Sequence, residues 1–139
     1  MFYGNLRATG VKSERDQMVK LTGARILLVE DEYFIADDLR RTLTAAGADV
    51  VGPYASLAKA NCALDEDAFD CAIIDLNLHG ESALPIADRL LEAGKSFAIA
   101  TGYGSTAIPE RLQHVPRIEK PFDPPALIQL IGQLSCVES

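Results

Sequence analysis

The sequence predicts an α/β fold in which strands and helices alternate around an open parallel sheet, and three observations carry that reading. Short unbroken apolar runs, Ile26–Val29, Cys71–Ile74 and Phe97–Ala100, lack the period-two alternation of a half-exposed sheet and read as strands buried on both faces. Between them lie segments whose apolar residues fall three and four apart, the spacing of amphipathic helices. Each run also ends in polar residues: Glu30 and Asp31, Asp75, and Thr101. In open α/β sheets the crevice beyond the carboxyl ends of the strands is where ligands bind.

Residues 1–23 carry no core periodicity and are punctuated by Gly4, Gly10 and Gly23, so they read as an N-terminal extension ahead of a domain over 24–139. Within the extension, Ser13-Glu14-Arg15-Asp16 resembles a capping box and predicts a short helix over 14–21. The first strand, Ile26–Val29, runs into Glu30-Asp31-Glu32. Three successive like charges cost free energy unless the positive end of a helix or a divalent cation offsets them. Ile35, Leu39 and Leu43 lie four apart and supply that helix, which Gly47 ends. Asp49–Gly52 is the second strand, closed by Pro53, which has no N–H to give a ladder.

Ser56 caps a second helix carrying Leu57, Ala60 and Leu64. Asp65, Glu66 and Asp67 oppose the negative end of its dipole and predict fraying there. Cys71–Asp75 is the central strand; taken alone, Asp75 is as readily a turn cap as a site residue. A helix over 83–93, with Leu84, Ala87, Leu90 and Leu91 inward, tolerates Pro85 in its first turn and stops at Gly94. Phe97–Ala100 leads to Thr101-Gly102-Tyr103-Gly104, and a short weak helix is expected over 109–112. Arg117–Glu119 is a brief fifth strand ending at Lys120-Pro121-Phe122. From Pro124 a last helix buries Leu127, Leu130, Ile131 and Leu134. Right-handed crossovers among five strands make a three-layer sandwich, and its compact strand order is 2-1-3-4-5.

A chain of 139 residues is of ordinary size for one domain. No apolar run approaches the roughly 20 residues of a membrane span, and the first residues have no signal-peptide pattern, so a cytoplasmic protein is expected. Three cysteines, Cys62, Cys71 and Cys136, show no zinc spacing, their odd number argues against a disulfide framework, and they read as buried or bystander thiols. The net charge of −7 is asymmetric: residues 1–23 carry four bases and two acids, the remainder nine bases and 18 acids. An acidic body of that kind repels nucleic acid, which excludes direct binding to it.

A parallel sheet gathers the carboxyl ends of its strands at one rim. There the chain delivers Glu30, Asp31, Asp75, Thr101 and Lys120. Carboxylates with a backbone carbonyl suit a hard divalent ion such as Mg²⁺. A lysine and a threonine suit phosphoryl oxygens. The simplest chemistry using all of them is phosphoryl transfer to a carboxylate.

From Ala24 to about Leu134 the chain resembles the receiver domain of bacterial two-component response regulators, a flavodoxin-like fold. The resemblance rests on Leu28-Val29-Glu30-Asp31-Glu32, Ile73-Ile74-Asp75-Leu76-Asn77-Leu78, Ala100-Thr101-Gly102 and Lys120-Pro121-Phe122. It implies that Asp75 accepts a phosphoryl group from a sensor histidine kinase or histidine phosphotransfer protein. It also implies that Asp31, Asp75 and the main-chain carbonyl of Asn77 hold Mg²⁺ with support from Glu30, and that Thr101 and Lys120 bind the phosphoryl oxygens. It further implies a cis Lys120-Pro121 bond and a signal passed on by protein contact or onward phosphate transfer. Such a protein catalyses only its own phosphorylation and dephosphorylation, and dimer formation stays open.

Departures from the family pattern are His79, where proline is frequent, Ala83 in place of glycine, and Arg117 in place of the aromatic residue whose swing reports phosphorylation. A guanidinium cannot bury itself unpaired, which makes Tyr103 the substitute switch residue. Ala100-Thr101-Gly102-Tyr103 together with Arg117 is similar to a subgroup of stand-alone alphaproteobacterial receivers. His79 itself reads as an exposed loop residue. Two other classes remain: an aspartyl-nucleophile phosphatase of haloacid dehalogenase type, and a receiver-like scaffold that is never phosphorylated. The first needs a carboxylate where Asn77 stands, and the second leaves the Asp31, Asp75, Thr101 and Lys120 set without a purpose.

Overall fold

The computed structural model describes residues 21–102 and 108–134. In chain order these form β1 (Arg25–Val29), α1 (Tyr33–Ala45), β2 (Asp49–Tyr54), α2 (Leu57–Glu66) and β3 (Cys71–Asp75). A small ribbon follows, β4 (Asn77–Leu78) and β5 (Glu81–Ser82), then α3 (Leu84–Glu92), β6 (Ser96–Thr101), a single 3-10 turn at Glu110–Leu112, β7 (Arg117–Glu119) and α4 (Pro124–Gly132). The five long-range strands are all parallel, in spatial order β2-β1-β3-β6-β7. With the antiparallel β4–β5 ribbon set aside, this is the expected 2-1-3-4-5 arrangement of a flavodoxin-like sandwich.

Alternation along each strand divides the core in two. Ile26, Leu28, Ile73 and Ile118 face α1 and α4, meeting Leu39, Leu43, Leu127 and Ile131. Leu27, Val29, Ile74 and Ile99 face α2 and α3, meeting Ala60, Ala63, Ile86 and Leu90. These residues are buried, and truncating one of the leucines to alanine costs about 2–5 kcal/mol. The packed core also takes in Leu21, ahead of β1. Residues 1–20, where the short capped helix was expected, lie outside the described residues. No helix among the described residues is long and apolar enough to cross a membrane.

Three expectations need correction. First, β2 does not stop at Gly52 but runs through Pro53 to Tyr54. It is an edge strand, so a missing N–H is tolerated, and a one-residue shift absorbs the proline: Leu27 pairs with Val51, and Val29 with Tyr54. Gly52 makes the shift possible, because at φ +109° a Cβ there would stand 2.8 Å from the carbonyl oxygen of Leu28.

Second, α2 continues through its acidic end to Glu66. Asp65 meets Arg89 of α3 at 2.8 Å, and Asp67 meets Lys95 at 2.9 Å, so borrowed cations offset the unfavourable dipole. Third, Cys62 is a free, exposed thiol as expected, but Cys71, although buried, is disulfide-bonded, against the expectation that the odd cysteine count leaves no disulfide. The Lys120-Pro121 bond is cis, as expected.

Candidate functional site

The site lies where β1, β3 and β7 end. β1 delivers Glu30 as its first residue beyond the strand, anchored to the edge by Glu30 N–H donating to Tyr54 O at 3.0 Å. β3 is buried along its whole length and ends in Asp75. Lys120 follows β7 directly, and its N–H donates to Thr101 O at 2.8 Å, which ties the ends of β6 and β7 together. The topology therefore fixes Glu30, Asp75 and Lys120 from three strands at the centre of the rim.

The Lys120 ammonium donates to Asp75 Oδ2 at 2.7 Å and stands 2.8 Å from Glu30 Oε1. Oxygens of Glu30, Asp31 and Asp75 all lie within 4.8 Å of one another. Three carboxylates thus crowd together and one ammonium reaches two of them, in a place where Glu30 is only 2% exposed. The contact to Glu30 is one of charge without hydrogen-bond geometry, and Oε1 is a buried carboxylate oxygen lacking a hydrogen-bond donor. Its other oxygen accepts from the Glu32 N–H at 3.1 Å.

Electrostatics follow from this crowding. Burial pushes the Glu30 carboxyl up to about 7, against the opposing pull of Lys120 and of the Glu32 N–H. Burial also works against the charged form of Lys120, but the hydrogen bond to Asp75 and the close negative charge of Glu30 outweigh it together and hold the ammonium above its ordinary pKa. An excess of buried negative charge with an oxygen left undonated is the donor set a hard divalent cation completes. Glu30, Asp31 and Asp75 fit a Mg²⁺ ion on that ground.

Asp75 proves to be a turn cap as well as a rim carboxylate. Its Oδ1 accepts the Asn77 N–H at 2.9 Å, while Asn77 Oδ1 accepts the Gly80 N–H at 2.8 Å. The two bonds start the β4–β5 ribbon, whose turn residues His79 and Gly80 have φ of +52° and +83°. Positive φ at both central positions is the two-residue hairpin turn that matches strand twist. The ribbon carries His79 back to the rim, where its N–H donates to Asp31 Oδ2 at 2.6 Å and its Nδ1 lies 3.2 Å from the same oxygen.

His79 is an exposed turn residue, as expected, but the expectation did not include its contact with Asp31. A histidine followed by glycine, between two short extended pairs, is the signal for such a turn. Arg117 faces away from the rim and donates to Gln113 Oε1 at 2.9 Å. Tyr103 lies outside the described residues.

No protein-family model matches the sequence. No curated protein matches it either. Solved structures do. SdrG from Sphingomonas melonis Fr1 is 31% identical, with a TM-score of 0.71 over 79% of this chain and 95% of that one. The BeF3-activated conformation of SdrG aligns with 31% identity and a TM-score of 0.66, over 80% of this chain and 96% of that one. A response regulator receiver protein from Sinorhizobium medicae WSM419 is 26% identical, with a TM-score of 0.67 over 80% of this chain and 93% of that one.

The likeness to the response regulator PhyR from Brucella abortus is one of fold: 24% identity, a TM-score of 0.71, and 88% of this chain against 52% of that one. This chain therefore spans about half the length of PhyR. An acidic trio and a lysine converging on one rim of a 2-1-3-4-5 sheet, with relatives of this identity and coverage, place the chain in the receiver-domain family of two-component response regulators.

Proposed function

We propose that this receiver takes a phosphoryl group onto Asp75 from the phosphohistidine of a sensor kinase or phosphotransfer protein. In that step a carboxylate oxygen of Asp75 forms a bond to phosphorus, the phosphorus–nitrogen bond breaks, and the departing imidazole keeps the electron pair and takes up a proton. The supporting observation is the Asp75–Lys120 contact of 2.7 Å inside a cluster of three carboxylates. Lys120 holds Asp75 in place before transfer and carries the positive charge that the incoming phosphoryl oxygens need.

Glu30, Asp31, Asp75 and the Asn77 carbonyl would hold Mg²⁺, which when bound neutralises the crowded carboxylates and draws charge from the phosphoryl oxygens. Thr101, at the end of β6, sits one strand from Asp75 and would donate its hydroxyl to the phosphoryl group. Tyr103 and Arg117 remain the candidates for passing the change of state to a target protein, with residues 1–23 as an extension to the receiver proper. The exposed pair Tyr33 and Phe34, 74% and 80% accessible at the start of α1, flanks the rim and suits contact with the phosphoryl donor.

The phosphatase alternative gains nothing from the geometry. Asn77 spends its side-chain oxygen on the Gly80 N–H, and an amide there carries no proton for a leaving group. Incubation with Mg²⁺ and a small phosphoryl donor tests the proposal by intact mass. An acid-labile gain of one phosphoryl group, absent in Asp75→Asn, is expected. Steady turnover of phosphate esters, or no uptake at all, refutes it.

A further inference from the structure

Asp31 Oδ2 accepts the His79 main-chain N–H at 2.6 Å, and the His79 imidazole Nδ1 stands 3.2 Å from the same oxygen. Both contacts fall on one oxygen, so Oδ2 is engaged from the ribbon side. We propose that His79 is a positioning residue of the cation site. By engaging Oδ2 with its main chain and its ring it fixes the rotation of the Asp31 carboxylate and leaves Oδ1 as the oxygen presented to a divalent cation. The inference rests on the cation reading of the same rim.

Three features make the clamp firm, although the imidazole is 76% exposed. The ribbon is pinned at Asp75 Oδ1 by the Asn77 N–H and closed on itself by the Gly80 N–H, so His79 is not at a free loop tip. At a φ of +52° the turn brings both the His79 main-chain N–H and its ring against the same Asp31 oxygen. Asp31 itself is nearly enclosed, with a side chain 7% exposed, so few other donors reach it. The neighbouring acid shows the converse arrangement, since Glu30 Oε1 lacks a hydrogen-bond donor. The rim thus separates oxygens already held by the protein from those left for an ion.

Calorimetric titration of the full chain with Mn²⁺ alone tests this with two variants. His79→Gly keeps the main-chain N–H and the positive φ and removes the imidazole; His79→Asn keeps the turn and restores a side-chain donor. The expected result is a Kd about three- to tenfold weaker in His79→Gly, with at least half of the loss, on a logarithmic scale, recovered in His79→Asn. Equal affinities for wild type and His79→Gly overturn the positioning role alone. Loss without recovery in His79→Asn assigns the effect to a loosened turn and overturns it too. A wild-type chain that takes up no Mn²⁺ overturns the cation reading itself.

Discussion

The two rims of the sheet handle charge in opposite ways. At the amino end two clusters of charge are matched by partners. Asp70 Oδ2 accepts the Arg25 N–H at 2.8 Å, its Oδ1 meets the Arg25 guanidinium at 3.1 Å, and its own N–H donates to Arg25 O at 2.7 Å. Lys95 donates to Phe69 O at 2.7 Å, pairs with Asp67 at 2.9 Å and lies 4.6 Å from the centre of the Phe69 ring. At the carboxyl end three carboxylates crowd together, one ammonium reaches only two of them, and a buried oxygen goes without a hydrogen-bond donor. The first rim is a closed electrostatic account that serves stability. The second is left open in a fold that could evidently have closed it, and an imbalance of that kind marks a place where something binds.

Breaking the balance at each rim gives the largest contrast. Lys120→Ala leaves Glu30 and Asp75 buried without their cation and should cost about 3 kcal/mol in urea unfolding. Lys95→Ala, which strips a half-exposed partner, should cost about 1 kcal/mol. Similar losses at the two rims would erase the distinction.

Adding the missing charge should do the reverse. At a hundredfold excess over its Kd, Mg²⁺ is expected to stabilise the wild type by about 2.7 kcal/mol in thermal unfolding, and Asp31→Ala should lose that gain. A purely structural acid cluster would show no dependence on the ion.

The rim can also be tested from outside. Tyr33→Ala with Phe34→Ala should slow transfer from a phosphohistidine donor about tenfold, equivalent to about 1.4 kcal/mol, and leave uptake from a small donor unchanged. Equal slowing with both donors would place the aromatic pair in the chemistry and not in recognition.

Acid provides the finest comparison. The Arg25 N–H, then the Arg25 guanidinium, hold the Asp70 carboxyl below its ordinary value. A depressed carboxylate pKa contributes stability above the unfolded value near 4, and that contribution is lost as pH falls through the folded value. Asp70→Asn should therefore lie about 1 kcal/mol below wild type at neutral pH, with the gap closing below about pH 4. The amount is kept small because the Asp70 side chain is 31% exposed. Curves that stay parallel into acid would remove Asp70 from the account.

Much of this was legible in the chain itself, for physical reasons that can be named. β3 announced itself because burial on both faces demands an uninterrupted apolar run, and Asp75 broke that run at its end. Arg117–Glu119 was found at its observed limits despite its brevity, since Lys120-Pro121 punctuates it. What escaped depends on partners distant in sequence. The persistence of α2 to Glu66 needs Arg89 and Lys95, more than 20 positions away. The reach of His79 to Asp31 spans 48 positions and depends on two positive φ angles that no periodicity reveals. The passage of β2 through Pro53 could be foreseen only with the sheet order in hand, because only an edge tolerates it.

That same strand has a bearing on how the molecule behaves among copies of itself. With Pro53 offering no donor and a register slip beside it, β2 presents a broken template along its outer flank. Opposite, β7 is three residues long and carries Arg117 and Glu119 outward. Neither flank of this sheet invites the side-by-side strand addition through which crowded β-proteins turn into fibrils.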